Sequence, residues 1–410
     1  MVEFSEGKFF PCRELFLTKS SVNRTVCSVP FCDRGAFRMF ISHPASCTCR
    51  KVYVIADLGA DAAGISDFII MTVADKVYVF KIIRITVQYQ KYVILSGARR
   101  DVSSADCMSI KTELICRRKK MRYEGDIYRP PSEAYSYILQ VTIGCAHNKC
   151  TFCSSFKAKK FRIRSLDEVF EDLAMARQYY RRIEKIFLAD GDALVCKNSY
   201  LLAILEKIEE LFPECERVGI YGRAKDILRK TDDELLELKA HGLGIIYMGC
   251  ESGNQVILDK IQKGETREEM IAAVKKSEGL GIPTSLTFLS GIGGRKMWRE
   301  NAIDTGTMIS EMEPTYVSFL TLMVVPGTPL HDEMMRGEFE LLRPDEVLKE
   351  AQLMLENIHV TRKCVFRSNH ASNYVSLKGD LPDDRESMIK QLEVAQKHSE
   401  MWKDERFRML

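Results

Sequence analysis

YILQVTIGCAHNKCTFC, residues 137–153, joins an apolar, β-branched run directly to three cysteines within nine residues. The run reads as a strand, and Cys145, Cys150 and Cys153 fall in the loop at its C-terminal end. Parallel α/β architectures place their active sites at that edge. Zinc sites want four ligands, typically arriving as two separated pairs. Three thiols with no evident fourth partner point instead to an iron–sulfur cluster with one iron left open.

Working outward, the same strand pattern recurs at 183–190, 217–224, 244–251, 283–291 and 316–324, each followed by an amphipathic helical stretch. Ser165-Leu-Asp-Glu168, Thr231-Asp-Asp-Glu234 and Thr266-Arg-Glu-Glu269 are capping boxes that mark helix starts. Gly242 and Gly279 stand where glycines end helices. Six βα units are too few for an eight-stranded barrel. The expected fold is therefore α/β: a partial (βα)6 TIM-like barrel of parallel strands, open at one side, over residues 136–370. A helix is expected at 344–358, and an extension over 371–410 carries a surface helix at 384–401.

Residues 1–120 show no such alternation, only a β-prone stretch at 77–97, and form a poorly defined N-terminal segment. They carry 19 Lys and Arg against 11 Asp and Glu, whereas the remaining 290 residues are net acidic. They also hold seven of the 14 cysteines (12, 27, 32, 47, 49, 107 and 116), in spacings that follow no zinc or iron–sulfur pattern. Arg117-Arg118-Lys119-Lys120 precedes Met121. If both arginines are encoded AGG, they spell a bacterial ribosome-binding site, and the expectation is that translation begins at Met121. Other arginine codons remove that support.

Composition narrows the function classes. Hydrophobic residues are 46% and charged residues 29% of the 410, which is globular and not disordered or fibrous. No apolar run reaches the length of a spanning helix, and MVEFSEGKFFPCRELF has no basic region leading into an apolar one, so a cytoplasmic protein without membrane contact is expected. Its thiols should be reduced, and clustered ones should be metal ligands.

Over residues 136–370 the sequence resembles the radical S-adenosylmethionine (SAM) superfamily. There, three cysteines hold a 4Fe–4S cluster, SAM chelates the open iron, and reductive cleavage yields a 5′-deoxyadenosyl radical that takes hydrogen from substrate. The family's usual spacing is C-x3-C-x2-C. This chain has C-x4-C-x2-C and keeps the aromatic Phe152 before the last cysteine. The resemblance implies that Gly191 and Asp192 bind the SAM amino group, the competing reading being an ordinary Asp–Gly turn. It implies that Glu251 and Ser252, in Gly249-Cys-Glu-Ser-Gly253, point into the mouth toward the SAM ribose or carboxylate. Gly291 and Gly293 match the glycine-rich contact with adenine. Arg223 contacts SAM or substrate, or forms a plain salt bridge. Pro326-Gly-Thr-Pro329 matches a family segment and also suits a rigid loop.

Within the superfamily the arrangement looks closest to coproporphyrinogen III oxidase-like and magnesium-protoporphyrin cyclase-like proteins, without their relatives' cobalamin-binding domain. A low-potential electron donor such as a ferredoxin or flavodoxin is then an expected partner, in an anaerobic cytosol. The substrate is not legible, and no catalytic residue is assigned. His147, Asn148 and Lys149 are placed to tune the cluster. The polar cluster 366–374 either faces substrate or caps the barrel. The basic stretch Lys157, Lys159, Lys160, Arg162 and Arg164, with Phe156 and Phe161, could track RNA. The net acidity of residues 121–410 favours a solvated face instead. Two other readings are a purely structural metal site and an RNA-binding or RNA-modifying protein on the same fold.

Overall fold

The computed structural model describes residues 122–409 in full and, within residues 1–120, the backbone of seven strands. The chain divides into two compact units, Met1–Lys119 and Lys120–Leu410. In the first, Phe16–Lys19, Thr25–Val29 and Phe37–Ile41 make an antiparallel sheet. A second antiparallel sheet joins Lys51–Tyr53, Asp67–Val73, Lys76–Val87 and Gln90–Arg99, and the β-prone stretch at 77–97 lies in its last hairpin.

The second unit is built on one eight-stranded sheet. Its strands are β1 (Tyr137–Gln140), β2 (Lys185–Ala189), β3 (Arg217–Tyr221), β4 (Leu243–Glu251), β5 (Thr284–Ser290), β6 (Tyr316–Thr321), β7 (Cys364–Ser368) and β8 (Leu377–Leu381). They lie side by side in chain order; β1 to β7 run parallel, and β8 returns antiparallel along the edge. The β1 and β8 edges do not pair, which leaves the barrel open as expected. The six anticipated strands are β1 to β6. The sheet continues past them into 364–368, whose buried and half-buried residues alternate with a period of two.

Helices cover the outer face. The three capping boxes form as read, each with the hydroxyl accepting from the N3 amide and the glutamate answering. Gly242 takes positive φ after its helix, but Gly279 is still helical and Gly281 makes the turn. Helix Arg385–Lys397 is more than a surface helix: Met388, Ile389, Leu392 and Ala395 are buried.

Strand alternation separates two packed faces. Ile186, Leu188, Val218, Ile220, Ile246, Leu286, Phe288, Val317, Phe319 and Phe366 belong to the main core beneath the helices. Phe187, Ala189, Ile245 and Tyr247 form a second cluster inside the barrel, with Ile138, Tyr221 and Tyr316 packed on it. Phe187 meets Tyr221 edge-on at 4.8 Å and Tyr247 at 5.6 Å, geometry that rings prefer over face-to-face stacking. Glu133, fully buried in the turn Pro131–Glu133, plugs the N-terminal end by accepting from Tyr247, Arg217 and Ser136.

Candidate active site at the C-terminal strand ends

The cysteine loop leaves β1 through a closed neck. Thr142–Ile143 pairs antiparallel with Arg162–Ile163, so both ends of the loop emerge together. At the end of β2 the buried Asp190 fastens that neck. Its Oδ2 accepts from the Gly144 amide (2.9 Å), the Gln140 side chain (3.2 Å) and the Lys159 ammonium (2.8 Å). The outer flank is pinned too: Thr151 N–H donates to Ile261 O (2.9 Å), and Leu330 N–H, just after the Pro-Gly-Thr-Pro segment, donates to Thr151 O (3.1 Å). His147 meets Gln262 O at 2.7 Å, and Asn148 Nδ2 donates to Phe156 O at 2.9 Å.

Cys145, Cys150 and Cys153 are half-buried on this loop with free thiols. Burial pushes the Cys145 thiol up, and pushes Cys150 up to about 11, with Lys263 pulling it back. Among the described residues no three His, Cys, Asp or Glu side chains stand at metal-binding distance from one another. The seven N-terminal cysteines lie outside the residues whose side chains are described.

Gly191 is required by close approach. A Cβ there would stand 2.6 Å from the Phe156 ring and 2.9 Å from Cys145 Cβ. Beside it Asp192 is fully buried; no donor group reaches its oxygens, and its one side-chain hydrogen-bond neighbour is the carboxyl of Asp226, whose Oδ2 is orphaned as well. Burial first, then the neighbouring Asp226, pushes Asp192 up to about 9. An orphaned buried carboxyl is costly, and it marks a place where a cationic group would be welcome. Glu265 leaves a second orphaned oxygen nearby. Arg223 reaches Glu265 at 3.7 Å and donates to Lys263 O at 3.4 Å, so the salt-bridge reading of Arg223 describes its contacts.

The Gly-Cys-Glu-Ser-Gly element departs from expectation. Glu251 has a partner, Lys263 Nζ at 3.3 Å. Burial pulls Lys263 down, but Glu251, Cys150 and Glu265 outweigh it and hold its ammonium above the ordinary range. Ser252 does not face the mouth. It is buried and donates to Asn301 Oδ1 (2.6 Å), because a register shift between Gly249 and Glu251, with positive φ at Glu251, turns the chain. Gly253 lies against the backbone of Asp304, where a Cβ would collide.

Sequence reasoning missed the continuation of that chain of contacts. Asn301 Nδ2 donates to Glu350 Oε1 (3.0 Å), and the Gly291 amide donates to Glu350 Oε2 (2.6 Å). Glu350 thereby ties the end of β4 to the end of β5. The available signal was a glutamate on the apolar face of helix Pro344–Glu356, among Val347, Leu348, Ala351 and Met354. Lys263 and Glu265 were signalled only as opposite charges flanking Gly264. Ser290 and Gly291 line a cavity of about 180 Å³ together with Leu322, Tyr374 and Arg408. Gly293, next in the same segment, packs against Ile257 and Met297.

Burial pushes Glu350 up to about 8, against hydrogen bonds from Asn301 and Gly291 that lower it. The folded protein then keeps a proton that the unfolded chain releases near pH 4.5. Stability from this group is complete below that pH and falls as pH rises to about 8, by at most about 5 kcal/mol. Glu350→Gln stays neutral, and the Asn301 amide can turn over to suit it. Thermal unfolding should therefore show a flatter profile between pH 5 and 8 in the variant, with the gain at pH 8. A profile parallel to that of the unmodified protein would show that Glu350 is ionised when folded.

The basic stretch is mostly engaged internally. Arg164 is buried against Asp172 (2.7 Å), Lys159 against Asp190, and Arg162 pairs with Glu124 and Glu168. The polar cluster 366–374 is likewise structural in large part: Asn373 bonds Thr321, Phe319 O and Ser368, and Ser372 Oγ accepts from Thr321 N.

Residues 139–305 match the Radical SAM superfamily. The chain is 28% identical over 196 residues to an uncharacterized methyltransferase of Pyrococcus horikoshii, covering 47% of this chain and 40% of that protein. It is 27% identical over 218 residues to the anaerobic magnesium-protoporphyrin IX monomethyl ester cyclase of Rubrivivax gelatinosus, covering 52% and 37%. The chain thus spans about two fifths of the length of these curated relatives. Among solved structures it resembles coproporphyrinogen III oxidase of Escherichia coli, with a TM-score of 0.42 and 15% identity over 54% of this chain and 52% of that one. The cofactors of the superfamily are a 4Fe–4S cluster and SAM.

Proposed function

We propose, from the match of residues 139–305 to the Radical SAM superfamily, that this chain is a radical SAM enzyme whose cluster is held by Cys145, Cys150 and Cys153. When bound, the cluster and SAM supply a one-electron reductive cleavage whose 5′-deoxyadenosyl product takes hydrogen from a substrate. The chain's own residues prepare the site. The neck fastened by Asp190 presents three thiols at the strand ends. Gly191 admits a ligand or loop atom where any side chain would collide.

Asp192 and Glu265 supply orphaned carboxylate oxygens for an ammonium such as that of SAM. Lys263 and Arg223 place positive charge for a carboxylate, although both already have acidic partners. The Ser252–Asn301–Glu350 chain holds the Gly291 amide, and with it one wall of the cavity beside β5. Ser252 then serves the site by positioning. The observation that carries this reading is the fully buried Asp192 carboxyl beside the cysteine loop, which meets no donor and has only the Asp226 carboxyl for a neighbour.

A ferredoxin- or flavodoxin-like donor and a cytoplasmic location belong to the same proposal; no described helix is long and apolar enough to cross a membrane. The test is anaerobic reconstitution of the full chain with iron and sulfide, then dithionite and SAM. Formation of 5′-deoxyadenosine supports the proposal. A stable cluster that never cleaves SAM leaves a structural metal site as the better account.

A further inference from the structure

Two bonds, one on either side of Cys150, tie the cysteine loop to a single short turn, residues 261–265. His147 Nε2–H donates to Gln262 O (2.7 Å), and Thr151 N–H donates to Ile261 O (2.9 Å). The turn follows helix Gln255–Lys260 and leads into helix Arg267–Gly279. Within it Gln262 and Gly264 both take positive φ, 53° and 70°. That conformation is unfavourable for glutamine, so a contact from outside the turn has to hold it. A Cβ at Gly264 would stand 2.5 Å from His147 Cε1 and 3.2 Å from each ring nitrogen. The edge of the imidazole therefore rests on the Gly264 backbone, and only glycine gives it room.

The turn carries two charges to the mouth. Lys263 and Glu265 flank Gly264, and both are buried. Lys263 Nζ reaches Glu251 at 3.3 Å. Glu265 Oε1 accepts from Lys225 N–H (3.0 Å) and meets Arg223 Nε at 3.7 Å, while Oε2 is orphaned. At its other end residue 147 belongs to the thiols, because the backbone N–H groups of His147 and Asn148 face the Cys145 sulfur. One residue thus touches a thiol with its main chain and the charged turn with its ring.

We propose that His147 is a positioning residue for SAM. It carries the placement of the cysteine loop across to Lys263 and Glu265, so that gathering three thiols around a cluster also sets the charges that meet the amino-acid end of SAM. This rests on the radical SAM reading. The coupling runs through the protein and is separate from any bond between SAM and iron. A small displacement of the turn moves both charges at once, since they stand on either side of the glycine on which the ring rests.

The test titrates SAM calorimetrically into the anaerobically reconstituted full chain without reductant, so that binding is read apart from cleavage. Affinity is expressed per cluster, from the iron content. His147→Ala should keep its iron and bind SAM about tenfold more weakly. His147→Gln, whose amide can still donate to Gln262 O, should return to within about threefold of the unmodified chain. Gly264→Ala pushes the ring away and should also weaken SAM about tenfold. The double variant should be at most about threefold weaker than His147→Ala, because the collision disappears with the ring. Should His147→Ala hold no iron, Gly264→Ala, which leaves the cysteine loop intact, decides. SAM affinity per cluster unchanged in the single variants overturns the proposal, whether or not iron content falls, and so do losses that simply multiply in the double variant. An unmodified chain that holds its cluster and takes no SAM removes the radical SAM reading and this role together. SAM bound alike by every variant removes the positioning role alone.

Discussion

Cys150→Ser should abolish cluster assembly and lower 5′-deoxyadenosine formation by at least about a thousandfold. A thiol becomes a ligand by losing its proton, and the cluster itself supplies the positive charge that overcomes the burial holding Cys150 at about 11. A serine hydroxyl loses its proton far less readily and is a poor match for iron in a sulfur-ligated cluster. Two remaining thiols on a loop pinned at neck and flank cannot complete a three-point grip. Cys215→Ser is the control: that thiol donates to Arg217 O, away from the loop, and its loss should leave the iron content intact. Iron and sulfide analysis with the ultraviolet–visible spectrum reads both variants. Equal loss in the two would mean general instability, and retained cleavage in Cys150→Ser would remove this thiol from the ligand set. RNA affinity that persists unchanged in the variant would instead favour the RNA-binding reading.

A second large effect is expected at Asp192, with opposite signs on binding and stability. Its carboxyl is buried against the carboxyl of Asp226 with no donor group beside it. In the protein without SAM the folded state keeps a proton on Asp192 that the unfolded chain releases at neutral pH, and Asp192→Asn, neutral in both states, avoids that cost at nearly constant volume, for a gain of about 1 kcal/mol or more. With SAM present the carboxylate is the acceptor for an ammonium, and a charge-assisted bond of that kind contributes about 2–3 kcal/mol. The variant should therefore unfold at a slightly higher temperature alone and bind SAM about 30- to 100-fold more weakly. Calorimetric titration of the reconstituted protein, paired with thermal unfolding, checks both signs. Unchanged SAM affinity would show that Asp192 serves another ligand, and a loss of stability would mean that its carboxyl has a structural partner.

How far these residues could be found in advance depends on how local their signals are. The capping boxes and the β-branched runs are written within a few residues, and helix starts and strand positions in the barrel follow them closely. The strand β7 was hidden because Arg367 and Ser368 read as loop chemistry, although the former bonds Gly379 O on β8 and the latter bonds Asn373. Glu350 stands on the apolar face of its helix, but its partners Asn301 and Gly291 meet it only where that helix packs on β5.

By itself the sequence determined that this chain builds a parallel α/β sheet with a three-cysteine loop at the C-terminal end of its first strand. Both properties rest on short-range periodicity and spacing. Only the tertiary structure decided which polar groups in the mouth are satisfied and which are free. Glu251 is neutralised by Lys263, Ser252 is turned away from the mouth onto Asn301 by the shift at the end of β4, and Asp192 has only another carboxyl beside it. The pairings depend on partners that meet only when the sheet curls, and the Ser252 contact on a register shift that changes which face a side chain reaches.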